Sequence, residues 1–65
     1  MNKFIEIDLD DYDISQCMVN LSEISHMKLN QYGRTAALYM KNGQSMCIKK
    51  YSYEKLLKEI KENNG

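Results

Sequence analysis

At 65 residues, with nine basic and nine acidic side chains, the chain has room for one domain, and such a domain buries roughly 60% of the surface its unfolded form exposes. A core this thin argues against an enclosed substrate pocket of ~300 Å³ or more, hence against a self-contained enzyme, and points to oligomerisation or docking on a larger partner. The balanced charge excludes an overall field directed at nucleic acid or at an anionic membrane.

Residues 3 to 9 place Ile5, Ile7 and Leu9 on one side and Phe4, Glu6 and Asp8 on the other, the period of a half-buried strand. Asp10-Asp11-Tyr12-Asp13 reads as a turn, and Ile14 to Asn20 as a second short strand. Leu21-Ser22-Glu23-Ile24 reads as a one-turn bend with Leu21 and Ile24 inward, followed by a third strand from Ser25 to Leu29. Asn30-Gln31-Tyr32-Gly33 makes the next reversal, with Gly33 in a left-handed conformation. Strand four spans Arg34 to Met40 and strand five Ser45 to Lys50.

The dipeptide Asn42-Gly43 between these two strands predicts a two-residue hairpin turn, because both residues tolerate the positive φ that turn requires. Lys41 then faces Gln44, Met40 faces Ser45, Tyr39 faces Met46, Leu38 faces Cys47 and Ala37 faces Ile48. One side of the hairpin is Tyr39, Met46, Ala37 and Ile48; the other is Leu38, Cys47, Met40 and Ala36, also largely apolar. A lone helix covers one side, so the second is either packed by the N-terminal segment or open to a partner.

That helix follows at once. Tyr53, Leu56, Leu57 and Ile60 share one face, and Glu54, Lys55, Lys58, Glu59, Lys61 and Glu62 take the other. Ser52 is the expected N-cap, with Glu54 in the first turn, where the helix dipole favours it, and Asn63-Asn64-Gly65 as the stop. The exposed pairs Glu54 to Lys58 and Lys58 to Glu62 add only ~0.2–0.5 kcal/mol each, so the apolar stripe must lie on the sheet. The expected fold is α+β: a small antiparallel sheet of four to five strands in a meander, one C-terminal helix packed on one face, and a single domain over residues 1–65.

Charge is segregated along the chain. Residues 1–33 carry Glu6, Asp8, Asp10, Asp11, Asp13 and Glu23 against Lys3 and Lys28, whereas residues 34–65 carry Arg34 and six lysines against Glu54, Glu59 and Glu62. Either the halves attract each other or the fold presents faces of opposite sign. No apolar run reaches the length of a signal-peptide core or a membrane span, which makes the cytoplasm the expected location. Cys17 and Cys47, without a C-x-x-C or a histidine cluster, read as small semi-buried hydrophobes rather than a disulfide framework or a zinc site.

Candidate chemistry is sparse. His26, the only histidine, has no serine-rich turn or acidic orienter beside it and reads as a surface or boundary residue. Asp8, Asp10, Asp11 and Asp13 do not match an EF-hand loop, since Tyr12 and Asp13 fall at the fifth and sixth places counted from Asp8; they read as a solvated turn or as an electrostatic lure for a basic partner. No catalytic residue, metal ligand or cofactor is expected. Arg34, Lys41, Lys49 and Lys50, with Tyr32, Tyr51 and Tyr53 interleaved, could supply phosphate contacts and stacking platforms, although lysines near hairpin ends also guard an edge strand.

The runs Val19-Asn20-Leu21-Ser22-Glu23-Ile24, Leu38-Tyr39-Met40-Lys41-Asn42-Gly43-Gln44, Ile48-Lys49 and Ser52-Tyr53-Glu54-Lys55 resemble the small FlbD-like flagellar and swarming-motility proteins, over about residues 19 to 60. In that family a "VN…I" segment precedes a strand, an "NG" hairpin and a "SYEE"-type helix, so the resemblance implies a motility accessory protein. The same region is similar to the first half of LytTR DNA-binding domains, which implies a DNA-binding regulator of truncated LytTR type; the basic side chains read above for phosphate contact in such a regulator are Arg34, Lys49 and Lys50.

The reading from the residues themselves is a non-catalytic module that docks on a protein partner, or on a second copy as a homodimer, through an uncovered sheet face and edge. Ala36, Leu38, Met40 and Cys47 would supply apolar contact, and Asp8, Asp10, Asp11 and Asp13 the charge. A mobile-element-type inhibitor that blocks a nucleic-acid-binding enzyme by filling its basic groove fits that description.

Overall fold

Alternation of apolar and acidic side chains makes Phe4–Asp8 a strand, β1, with Ile5 and Ile7 buried and Phe4 and Glu6 exposed, as its period requires. In the computed structural model, which describes residues 3–63, the chain continues through β2 (Gln16–Asn20), one turn of 3-10 helix (Leu21–Glu23), β3 (Ile24–Leu29), β4 (Thr35–Met40), β5 (Ser45–Lys49) and α1 (Lys50–Asn63). The fold is α+β, with antiparallel strands and one C-terminal helix packed on them. The strands divide into two sheets, β1-β2 and β3-β4-β5. A bridge between Leu9 and Ile48, together with the bond from the Asp10 N–H to the Cys47 carbonyl (2.9 Å), ties the end of the first sheet to the edge of the second.

Side chains set the turns. Between β1 and β2, Asp11 Oδ1 accepts from the N–H groups of Asp13 (2.8 Å) and Ile14 (3.3 Å), an Asx turn that reverses the chain. Asn20 Oδ1 accepts from the Ser22 N–H (3.1 Å) and opens the 3-10 turn, from which Leu21 and Ile24 pack against the core. Gly33 sits at φ 68 with its N–H on the Asn30 carbonyl (2.8 Å), the left-handed reversal expected there.

The β4-β5 turn corrects the sequence reading. Met40 N–H bonds to the Gln44 carbonyl (2.8 Å) and Gly43 N–H to the Met40 carbonyl (3.1 Å), so the loop holds three residues, Lys41-Asn42-Gly43, rather than two. Only Gly43 takes positive φ (93) in this loop; Asn42 instead accepts the Gln44 N–H on its side chain (2.9 Å). A three-residue loop of this form, a tight turn followed by a left-handed residue in a bulge, moves the register by one. Ala36 pairs with Ile48, Ala37 with Cys47, Leu38 with Met46 and Tyr39 with Ser45. Each expected pair is displaced, and the two sides of the hairpin are recomposed.

The helix start is corrected as well. It begins at Lys50, with no acidic residue in its first turn, so Glu54 lies beyond that turn and Ser52 lies inside the helix. Ser52 is 1% exposed, and its Oγ accepts the Asp8 N–H (2.8 Å). Lys55 Nζ donates to the Glu6 carbonyl (2.9 Å), and Lys3 Nζ pairs with Glu59 (2.7 Å). Side chains of the helix thus occupy backbone groups of β1 that a neighbouring strand would otherwise take. The helix extends to Asn63; the expected stop at Asn64-Gly65 lies outside the described residues.

One core results. Ile5, Ile7, Leu9 and Val19 from the first hairpin meet Ala36, Leu38 and Ile48 from the second sheet and Leu56 from the helix, with Cys17, Met27, Met40, Met46 and Tyr53 packed around them. Fully burying an Ile or Leu side chain is worth about 1.5–3 kcal/mol. The hairpin and the helix therefore share one side of the three-stranded sheet.

Candidate functional site

The observed register defines the opposite side of β3-β4-β5. Its residues come in cross-strand sets: His26 and Lys28 from β3, Ala37 and Tyr39 from β4, Cys47 and Lys49 from β5. None of these six belongs to the core cluster, and His26, Lys28, Cys47 and Lys49 are exposed. The His26 and Tyr39 rings stack with centroids 4.4 Å apart and planes 11° from parallel, and Lys28 Nζ stands 5.9 Å from the Tyr39 centroid. Stacked rings add about 0.5–1.5 kcal/mol beyond burial, which holds this platform upright on the sheet. Ser25 Oγ lies 2.9 Å from His26 Nδ1 and restrains the imidazole from the strand side. Beside the rings is an open depression of about 340 Å³, bordered by Asn30, Ala37, Tyr39, Ser45 and Cys47 among others.

This side differs from the apolar surface expected of Ala36, Leu38, Met40 and Cys47. Ala36 and Leu38 have no exposed surface, and Met40 is half-buried against the core. Cys47, expected beside them and semi-buried, is exposed on the other side, opposite Ala37. The one-residue change of register is the physical reason: it moves Ala36 and Leu38 into line with Ile48 and Met46, under the helix and the first hairpin.

The aspartates separate by role. Asp8 accepts from the Tyr51 hydroxyl and gives its N–H to Ser52; Asp11 closes the Asx turn; Asp10 joins β5 through its backbone. The side chains of Asp10, Asp11 and Asp13 are exposed. Asp10 and Asp11, with Tyr12, Ser15 and Lys49, border a second open depression of about 380 Å³. Among the described residues there is no group of three or more His, Cys, Asp or Glu side chains able to hold a metal. Hydrogen bonding to Asp8, with smaller help from burial and from the Asp8 charge, raises the Tyr51 hydroxyl above its usual pKa of 10.0. The Glu59 contact likewise raises Lys3 above 10.5.

Arg34, Lys49 and Lys50 come together at one corner, where Lys50 N–H bonds to the Arg34 carbonyl (3.3 Å) and Lys49 pairs with Thr35. All three are exposed, as is Tyr32 in the adjoining loop. His26, Lys28 and Tyr39 were not legible as a set, because His26 meets Tyr39 through the β3-β4 register, closed at the Asn30–Thr35 turn, and Tyr39 meets Ser45 only in the register of the three-residue loop. Among the described residues no helix is long and apolar enough to cross a membrane. No protein family, curated protein or solved structure matches the chain.

Proposed function

We propose that the chain is a non-catalytic binding module that docks on a larger protein through the open side of β3-β4-β5 and the adjoining β3 edge. One observation carries this reading. Helix and first hairpin both pack on the same side of the sheet, and the other side offers Ala37, Tyr39 and Cys47 in a setting of His26, Lys28 and Lys49. A small apolar centre with a polar rim is the composition of a docking patch. A photo-crosslinker on Cys47, in a Cys17→Ser background, tests it. The expected result is capture of a partner that Ala37→Arg abolishes, and that a label at Lys58→Cys on the helix, with both native cysteines replaced, does not capture. Equal capture from both positions, or capture indifferent to Ala37→Arg, contradicts it.

A second reading rests on the corner formed by Arg34, Lys49 and Lys50. A DNA-binding regulator of the LytTR-like kind would use these cations on phosphates, and its retention on DNA would fall steeply with salt. Retention unchanged between low and moderate salt removes it. The resemblance to FlbD-like proteins supports a motility accessory role for the same docking module, read out as loss of swarming in a deletion strain.

A further inference from the structure

The edge of β3 carries the docking reading further. Among the described residues, β3 pairs with β4 on one side and with no strand on the other. The bond from Asn30 N–H to the Thr35 carbonyl (2.9 Å) fixes the alternation of that ladder. Backbone groups of His26 and Lys28 accordingly point toward β4, and those of Met27 and Leu29 toward the free edge. The side chains are sorted too. His26 and Lys28 stand on the open side, whereas Met27 packs against the core and Leu29 keeps 46% of its surface exposed on the core side. A strand added to this edge would meet Lys28 and His26 on one side and apolar groups on the other.

The opposite edge of the same sheet already seats a segment of the complementary pattern. Ile7-Asp8-Leu9-Asp10 alternates apolar and acidic residues; Leu9 is buried in a bridge with Ile48, and Asp10 bonds through its N–H to Cys47 with its side chain exposed. A second copy fits the β3 edge poorly, since pairing β3 with itself about a two-fold axis brings the two Lys28 side chains onto the same side with no acidic residue of β3 to meet them. Lys28 also turns away strands that lack acidic residues, the usual protection of an exposed edge.

We propose that the β3 edge binds an extended protein segment of alternating apolar and acidic residues, taken up as a further strand with its acidic side chains beside Lys28 and His26 and its apolar ones beside Met27 and Leu29. This rests on the docking reading and names its partner. Main-chain bonds to Met27 and Leu29 supply affinity, and the alternating side chains supply specificity.

The test titrates a capped peptide, Phe-Ile-Glu-Ile-Asp-Leu-Asp, into the isotope-labelled full chain and follows amide resonances. Expected are saturable shifts at Met27, Lys28 and Leu29 with slowed exchange of the Met27 and Leu29 amides. Lys28→Glu should weaken binding about tenfold, the result of turning attractive cross-strand pairs into repulsive ones. The same peptide with lysine at its three acidic positions should prefer the Lys28→Glu protein, which shows that charge and not folding is at issue. Equal binding of the two peptides to the native chain, shifts confined to β2, or shifts at β3 from an oligothymidylate but not from the peptide would each overturn the proposal. So would self-association in sedimentation that the peptide does not compete. Failure here with Cys47 capture still lost in Ala37→Arg leaves the broader docking reading standing; failure of both removes it.

Discussion

Ala36 and Leu38 on one side of β4 have no exposed surface, whereas Ala37 and Tyr39 on the other side are only partly covered, although all four belong to one apolar run. Where both sides of a strand are apolar, the hydrophobic pattern does not choose which faces the core. The loop chooses. Lys41-Asn42-Gly43 sets Leu38 against Met46 and Ala37 against Cys47, and the helix and first hairpin then close over the side that carries Ile48.

The contrast is most sharply broken in the core. Leu38→Ala should cost about 2–5 kcal/mol, while Ala37→Ser on the open side should stay within about 0.5 kcal/mol, both read by urea unfolding. Comparable losses at the two positions would mean that the two sides are not distinct. Next comes Ser52→Ala. It leaves the part-buried Asp8 N–H without its acceptor, and about 1–3 kcal/mol should be lost. An N-cap role for Ser52 would instead predict rescue by Asp, and the buried acceptor site predicts that Ser52→Asp is worse than Ser52→Ala. Gly43→Ala should cost roughly 1–2 kcal/mol through backbone strain alone, because a Cβ there meets nothing within 4 Å.

The smallest effect concerns pH. Tyr51 and Lys3 hold their protons more tightly in the folded chain, so what they contribute is complete below about pH 10 and fades as pH climbs through their raised values. Tyr51→Phe should flatten part of that alkaline decline while leaving stability at pH 7 nearly unchanged, because the contact is exposed and screened by solvent. An alkaline limb identical in the two proteins would remove the Tyr51 contribution.

The elements were legible because each has its own local signal. The Ile5, Ile7, Leu9 alternation and the Gly33 reversal give strand and turn within a residue or two, and the Leu56 stripe gives the helix, which starts three residues before the expected Tyr53. The division into two sheets was not legible, since the Leu9–Ile48 bridge joins residues far apart in sequence. Ser52 misled because a serine ahead of a helical stripe is the usual cap signal. Nothing in its neighbours reports that the Asp8 N–H will reach it. The expected partner surface failed at one point, the loop length. Asn-Gly suits a two-residue turn, yet the Asn42 side chain bonding the Gln44 N–H suits the three-residue loop equally.

Register is therefore what the account stands on, and cross-strand proton contacts read it directly. Ala37 and Cys47 form a non-hydrogen-bonded pair, whose α-carbons approach to about 4.5 Å, so a strong Hα–Hα nuclear Overhauser contact should link them, with another between Tyr39 and Ser45. Strong contacts between Leu38 and Cys47 instead would restore the two-residue turn, expose Leu38 with Cys47, and contradict the docking side described above.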